Sequence, residues 1–166
     1  MDTSALIAGF NPLSILETQY SVPAVKKELA PNSMPLTRFN AAVENRQLMV
    51  RTPRHSSLQE VREASRKVGD VRYLSEADLQ VLALALELKR GGSHPLIVTD
   101  DYSIQNVANQ VGVDFASLMT YGIRFRFNWI IYCPACHRKY SSDYRLKACE
   151  VCGTKLKRKP LRKSPL

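Results

Sequence analysis

Four cysteines constrain this chain more than any other feature. Cys133, Cys136, Cys149 and Cys152 all fall within 20 residues, as two C-x2-C pairs separated by twelve residues. Two such pairs present four thiolates to one tetrahedral ion, each pair on a tight knuckle turn, and Gly153 after the last cysteine suits that turn. The set predicts a bound Zn²⁺ with Zn–S distances of about 2.3 Å. Four thiolates leave no open coordination position, so the ion is structural, and it stabilises a segment too short for a core of its own. Iron is the other metal such a set accepts. Free or redox-active thiols are the alternative use. Disulfides are not expected, because the chain starts with no secretory signal and a cytoplasmic setting follows. His137 is left out, since four sulfurs already fill a tetrahedron.

Charge separates the same region from the rest. Residues 121–166 hold 12 Lys/Arg against Asp143 and Glu150, a net +10, whereas residues 1–120 hold 12 Lys/Arg against 13 acids. A near-neutral body with a basic C-terminal third predicts a polyanion partner, nucleic acid before membrane. No apolar run reaches the ~20 residues of a membrane helix. Ile123 to Trp129 alternates: Ile123, Phe125, Phe127 and Trp129 on one side, Arg124, Arg126 and Asn128 on the other. This reads as a strand entering a zinc ribbon, its aromatic face packed and its arginines turned to phosphates. Lys155, Lys157, Arg158 and Lys159 continue into a basic tail over 157–166. That tail is expected to be disordered when free and an electrostatic anchor on RNA. The expected organisation is a body over 1–120, a ribbon over 121–156 and the tail.

The body alternates strand and helix. Pro23 opens a helix to about Ala30, a weaker one covers 35–45, and Ser56-x-x-Gln59 or Ser57-x-x-Glu60 caps another that stops at Gly69. Ser75 caps a helix to Leu88 that is apolar nearly all round and therefore buried on more than one side. Residues 95–99 are a buried parallel-type strand. Residues 103–111 are a helix closed by Gly112; 47–51 and 113–118 are further strands. The pattern predicts an α/β fold, a parallel sheet flanked by helices. Functional groups in such a fold gather beyond the carboxyl ends of the strands, where Asp100 and Asp101 stand.

Asp2-Thr3-Ser4-Ala5-Leu6-Ile7, then Val22-Pro23-x-Val25-x-x-Glu28-Leu29, Leu74-Ser75-x-x-Asp78 and Thr99-x-Asp101 together resemble the PIN-domain nucleases. With Gln105-Asn106-Val107, the ribbon and the basic tail, the chain is similar to the Nob-one (NIN-one-binding) endonuclease family over about residues 1–160. The resemblance implies a PIN-like sheet and an acidic cluster of Asp2, Glu28, Asp78 and Asp101 holding Mg²⁺ or Mn²⁺. Ser75, Thr99 and Asp100 become supporting groups. It also implies cleavage of precursor small-subunit rRNA at the mature 3′ end, with ribosome-assembly proteins as partners. Hard cations want such oxygen ligands, and converging carboxylates raise the pKa of at least one. Singly, each acid has an ordinary job: Asp78 favoured in a helix's first turn, Asp101 as a helix cap, Glu28 on a solvated face, Asp2 in solvent. A non-catalytic rRNA-binding assembly factor and a toxin-like ribonuclease acting on tRNA or mRNA are the competing readings.

One departure stands out. The family places several apolar residues before the first aspartate as a central strand, and here only Met1 precedes Asp2. Buried strand side chains contribute roughly 1.5–3 kcal/mol each, so the native chain is expected to start upstream or to fill that slot otherwise.

Overall fold

The helix opened by Ser75 organises the body. In the computed structural model, which describes residues 1–118 and 125–165, it runs over Glu76–Arg90 and buries Leu79, Val81, Leu82, Ala83, Leu84, Ala85 and Leu86. Nearly every face is covered, as its apolar circumference requires. In chain order the body comprises α1 (Thr3–Ile7), a 3-10 turn (Pro12–Ser14), β1 (Gln19–Ser21), α2 (Pro23–Glu28), α3 (Met34–Glu44), β2 (Leu48–Val50), α4 (His55–Val68), α5 (Glu76–Arg90), β3 (Leu96–Val98), α6 (Tyr102–Val111) and β4 (Asp114–Ala116). α5 packs against α2, α4, α6 and β3. None of the described helices is long and apolar enough to cross a membrane.

Most helix ends follow the chain's own signals. Ser75 and Asp78 form a reciprocal capping box on α5. α4 and α6 close on Gly69 and Gly112, both left-handed, at φ 84° and 70°. The expected boxes of Ser56 and Ser57 are not used: α4 starts at His55, with Arg54 in the cap position two residues before Ser56, and without a side-chain cap. Ser57 is buried instead. β1 escapes sequence reading because Gln19, Tyr20 and Ser21 offer no apolar run of the kind that marks Leu96–Val98.

The strands are parallel, as expected, but divide into two pairs. β1 lies beside β2 and β3 beside β4. Between the pairs is a cavity of about 650 Å³ whose lining includes Met1, Tyr20, Val22, Leu84, Leu88 and Ile97. Backbone from the first two residues bridges it: the Met1 amine donates to Tyr20 O at 2.7 Å and the Asp2 N–H to Val98 O at 3.4 Å.

The C-terminal part is an antiparallel sheet in the order β6-β5-β7, from β5 (Phe125–Tyr132), β6 (Lys139–Tyr140) and β7 (Lys157–Pro165). The strand expected before the knuckles is present as β5; Ile123 and Arg124 lie outside the described residues. The tail differs from expectation. Residues 157–165 pair along β5, with a register shift at Asn128/Trp129. Its charge repels like charge, but the backbone of β5 offers a free edge, and ladder hydrogen bonds satisfy both chains.

Candidate active site and zinc centre

Three aspartates each stand at the start of a helix. Asp2 caps α1, accepting from the N–H groups of Thr3 at 2.6 Å and Ser4 at 3.3 Å. Asp78 accepts from the Ser75 N–H at 2.6 Å while its own N–H donates to Ser75 Oγ. Asp101 caps α6 through the Ser103 N–H at 2.6 Å. Helix N-termini carry partial positive charge, so the helix end itself favours an anion at each of these positions. The ordinary role and the functional one therefore coincide in the same atoms.

Hydroxyls tie these carboxylates together. Fully buried Thr99 donates to Asp2 Oδ2 at 2.8 Å and accepts from the Asp101 N–H at 3.1 Å. Thr3 Oγ1 donates to Glu28 Oε2 at 2.6 Å, which brings exposed Glu28 from α2 to the same rim. Ser4, which sequence reasoning missed, donates to Asp2 at 2.6 Å and accepts from the Asp100 N–H at 3.1 Å. Its place in an Asp-x-Ser turn at a helix start was the available signal. Asp78 is joined through the field. Burial, chiefly, pushes its carboxyl up to about 6, the negative charges of Asp2 and Asp101 add to the rise, and the Ser75 N–H opposes it.

The gathering is loose. Among the described residues, the cysteine set is the group of three or more potential ligands whose atoms all lie within 4.8 Å of one another. The carboxylates form no such set among the described residues. Two supporting residues act differently from expectation. Ser75 holds Asp78 by its backbone N–H, with its hydroxyl spent on the cap. Half-buried Asp100 turns to the end of β4, accepting from Ser117 Oγ and from the Leu118 N–H at 3.1 Å.

The four sulfurs fit a tetrahedral ion. Cys133 and Cys152 Sγ lie 3.4 Å apart, Cys136 and Cys149 Sγ 3.5 Å. Four ligands at about 2.3 Å imply edges of about 3.8 Å. The two knuckles repeat one geometry: the residue after each second cysteine, His137 and Gly153, has φ of 60° and 71°. Each donates its N–H to the carbonyl of that knuckle's first cysteine, at 3.0 and 2.8 Å. The Tyr140 hydroxyl lies 2.9 Å from Cys149 Sγ and, donating to the thiolate, holds that thiol down at about 6. A lowered thiol is ready to ligate a metal.

The basic residues separate into two groups. Lys155, Lys157 and Lys159 are exposed, and Lys159 Nζ lies 4.4 Å from the centre of the Tyr132 ring. Arg126 sits in β5 opposite Ser164, and Arg124 lies outside the described residues. Arg158, grouped with the RNA contacts by sequence, turns inward and pairs with buried Asp70. Asp70 accepts also from Asn106 of α6. Burial raises the Asp70 carboxyl above its usual range, the Asp101 charge adding to that, while Asn106 and Arg158 oppose it. Sequence reasoning missed Asp70, because nothing local marks an acid after a C-cap glycine as buried.

Residues 1–88 match the family described as the PIN domain of ribonuclease. The chain is 35% identical over 159 residues to Endoribonuclease Nob1 of Methanothermobacter thermautotrophicus, covering 96% of this chain and 91% of that protein. It is 34% identical to Endoribonuclease Nob1 of Archaeoglobus fulgidus, covering 93% and 86%. Ribonuclease VapC1 of Thermoplasma acidophilum is 35% identical, covering 95% and 76%. The chain belongs to the Nob1 endoribonuclease family of PIN-domain ribonucleases.

Proposed function

We propose that this protein is a divalent-metal-dependent endoribonuclease that cuts precursor small-subunit rRNA to form its mature 3′ end. The observation carrying this reading is the joining of Asp2 and Asp101 through Thr99, with Asp78 in the field of both. Asp2, Asp78 and Asp101 would hold Mg²⁺ or Mn²⁺, and such an ion activates water for in-line attack and offsets charge on the leaving oxygen. Thr99 and Ser4 fix the Asp2 carboxylate before substrate arrives. Glu28, the most solvent-exposed of the four, faces bulk water. Hydrolysis in this sense leaves 5′-phosphate and 3′-hydroxyl ends. Lys155, Lys157 and Lys159 of the zinc-stapled ribbon, with Arg124 and Arg126, grip the RNA backbone. Four carboxylates have no means of reading bases, so the cut site is chosen by RNA structure and by ribosome-assembly proteins, in the cytoplasm.

Asp101→Asn tests this directly. It should abolish Mn²⁺-dependent cleavage of a short RNA spanning the rRNA 3′ end while leaving RNA binding intact. Binding without cleavage by the wild-type protein in any divalent ion would leave an assembly factor instead. The similarity to Ribonuclease VapC1 favours a second reading, a less selective ribonuclease. Equal cutting of tRNA and of the rRNA fragment would support it.

A further inference from the structure

The strand β7 has a two-residue period, which sends neighbouring basic residues to opposite sides. Lys157 and Lys159 face solvent; Arg158 faces the body. Its guanidinium lies between two rings, with Cζ 4.0 Å from the Tyr73 centroid and 3.9 Å from that of Trp129. It donates to Asp70 Oδ1, whose residue is 1% exposed, while Asp70 Oδ2 accepts from Asn106 Nδ2. One side chain thus joins β7, β5, the turn after α4, and α6, the helix that starts at Asp101. Neighbouring contacts extend the junction. Ser142 Oγ donates to Arg66 O at 2.9 Å, Arg72 donates to Tyr144 O, and Gly69 lies against the Trp129 backbone.

Arginine is the residue this place requires. Its plane stacks on both rings while its fork meets a carboxylate, which a lysine ammonium cannot do together. A guanidinium so enclosed has no face left for a phosphate. Asp70 without Arg158 is a buried, half-compensated charge.

We propose that Arg158 is a positioning residue: its pairing with Asp70 latches the zinc ribbon to the nuclease body, so that the ribbon's lysines and the carboxylate rim address one RNA strand in a fixed geometry. The substrate side of this statement rests on the RNA-cleavage reading above; the latch itself can be read on the protein alone. A fixed junction gives the second contact a high effective concentration, whereas a loose one spreads it over many orientations.

The test uses the zinc-loaded full chain with Asp70→Asn, Arg158→Gln, their double variant and Arg158→Lys. Trp129 is the chain's single tryptophan, so its emission reports the stacked guanidinium. Every variant should shift that emission. Asp70→Asn and Arg158→Gln should each raise KM about tenfold, the size of an ordinary coupling, for an RNA long enough to reach both ribbon and rim. The kcat should change little, and the double variant should be no worse than either single one. Arg158→Lys should fail to restore the wild-type KM, since charge alone does not make the latch. Additive effects in the double variant, or a silent Asp70→Asn with unchanged Trp129 emission beside weakened RNA binding by Arg158→Gln, would overturn the latch and return Arg158 to phosphate contact. If no variant or wild type cuts RNA, the nuclease reading fails. Emission and the same double-variant cycle on thermal stability then still decide the latch, non-additivity supporting it and additivity rejecting it.

Discussion

Asp78 illustrates how one residue carries two demands. It completes the α5 capping box and it sits in the field of Asp2 and Asp101, buried enough to hold its carboxyl near 6 against an ordinary 3.8. The folded metal-free protein therefore binds a proton that the unfolded chain has released between about pH 4 and 6. Stability must fall as pH rises through that window, by on the order of 2–3 kcal/mol from this group. Asp78→Asn should flatten that part of the curve, measured by denaturant unfolding in chelator. Thr99 makes a complementary prediction. Thr99→Val keeps the shape but leaves Asp2 Oδ2 with its Ser4 donors alone and takes the acceptor from the Asp101 N–H, so it should cost about 1–3 kcal/mol and lower cleavage. Thr99→Ser should recover most of both. A stability unchanged in Thr99→Val would show that the hydroxyl does not organise the rim.

At the scale of elements, the body meets the ribbon where α4 ends. Gly69 has φ of 84°, and a Cβ there would lie 2.4 Å from Trp129 O. Gly92 has the same backbone sense, φ 85°, with open space around it. The pair separates strain from contact. Gly92→Ala should cost about 1 kcal/mol from backbone conformation alone. Gly69→Ala should cost clearly more, because β5 must also retreat, and should shift Trp129 emission. Equal losses in thermal unfolding would mean that the junction is not tightly packed. The helices were largely legible in advance because caps and terminators are local: Ser75 with Asp78, Gly69, Gly112 and Pro23 all act within a turn. Of the short strands, β2, β3 and β4 lie inside the stretches expected for them, and β1 was not foreseen. A three-residue strand such as β1 forms because β2 lies beside it, and no pattern inside Gln19–Ser21 announces that neighbour.

For the whole molecule, two cores divide the work. The body buries an aliphatic cluster around α5; among the described residues the buried cluster of the ribbon is Cys133, Tyr140 and Cys149, with Ile131, Tyr144 and Leu156 against it. The ribbon must then take its stability from the metal. Removing zinc with a strong chelator should unfold β5–β7 and change Trp129 emission while most of the helical circular dichroism persists. A single cooperative loss of both signals would mean that the ribbon also holds the body together. The exposed pairs Arg62–Glu76 and Arg90–Glu60 link α4 to α5 but contribute little by comparison.

What depends on spacing along the chain was legible in the sequence: the cysteine knuckles, most helix starts and stops, the largely buried α5 and the basic C-terminal third. These follow from covalent reach and local hydrogen bonding, which operate over a few residues. Only the tertiary structure decided which side chains face one another. Tertiary packing set Thr99 between Asp2 and Asp101, turned Asp100 to β4, paired the basic tail with β5, and joined Arg158 to buried Asp70 across 88 residues of chain. Such partners are fixed by packing of distant segments, where burial and a neighbour's charge outweigh anything a residue's own surroundings in sequence can specify.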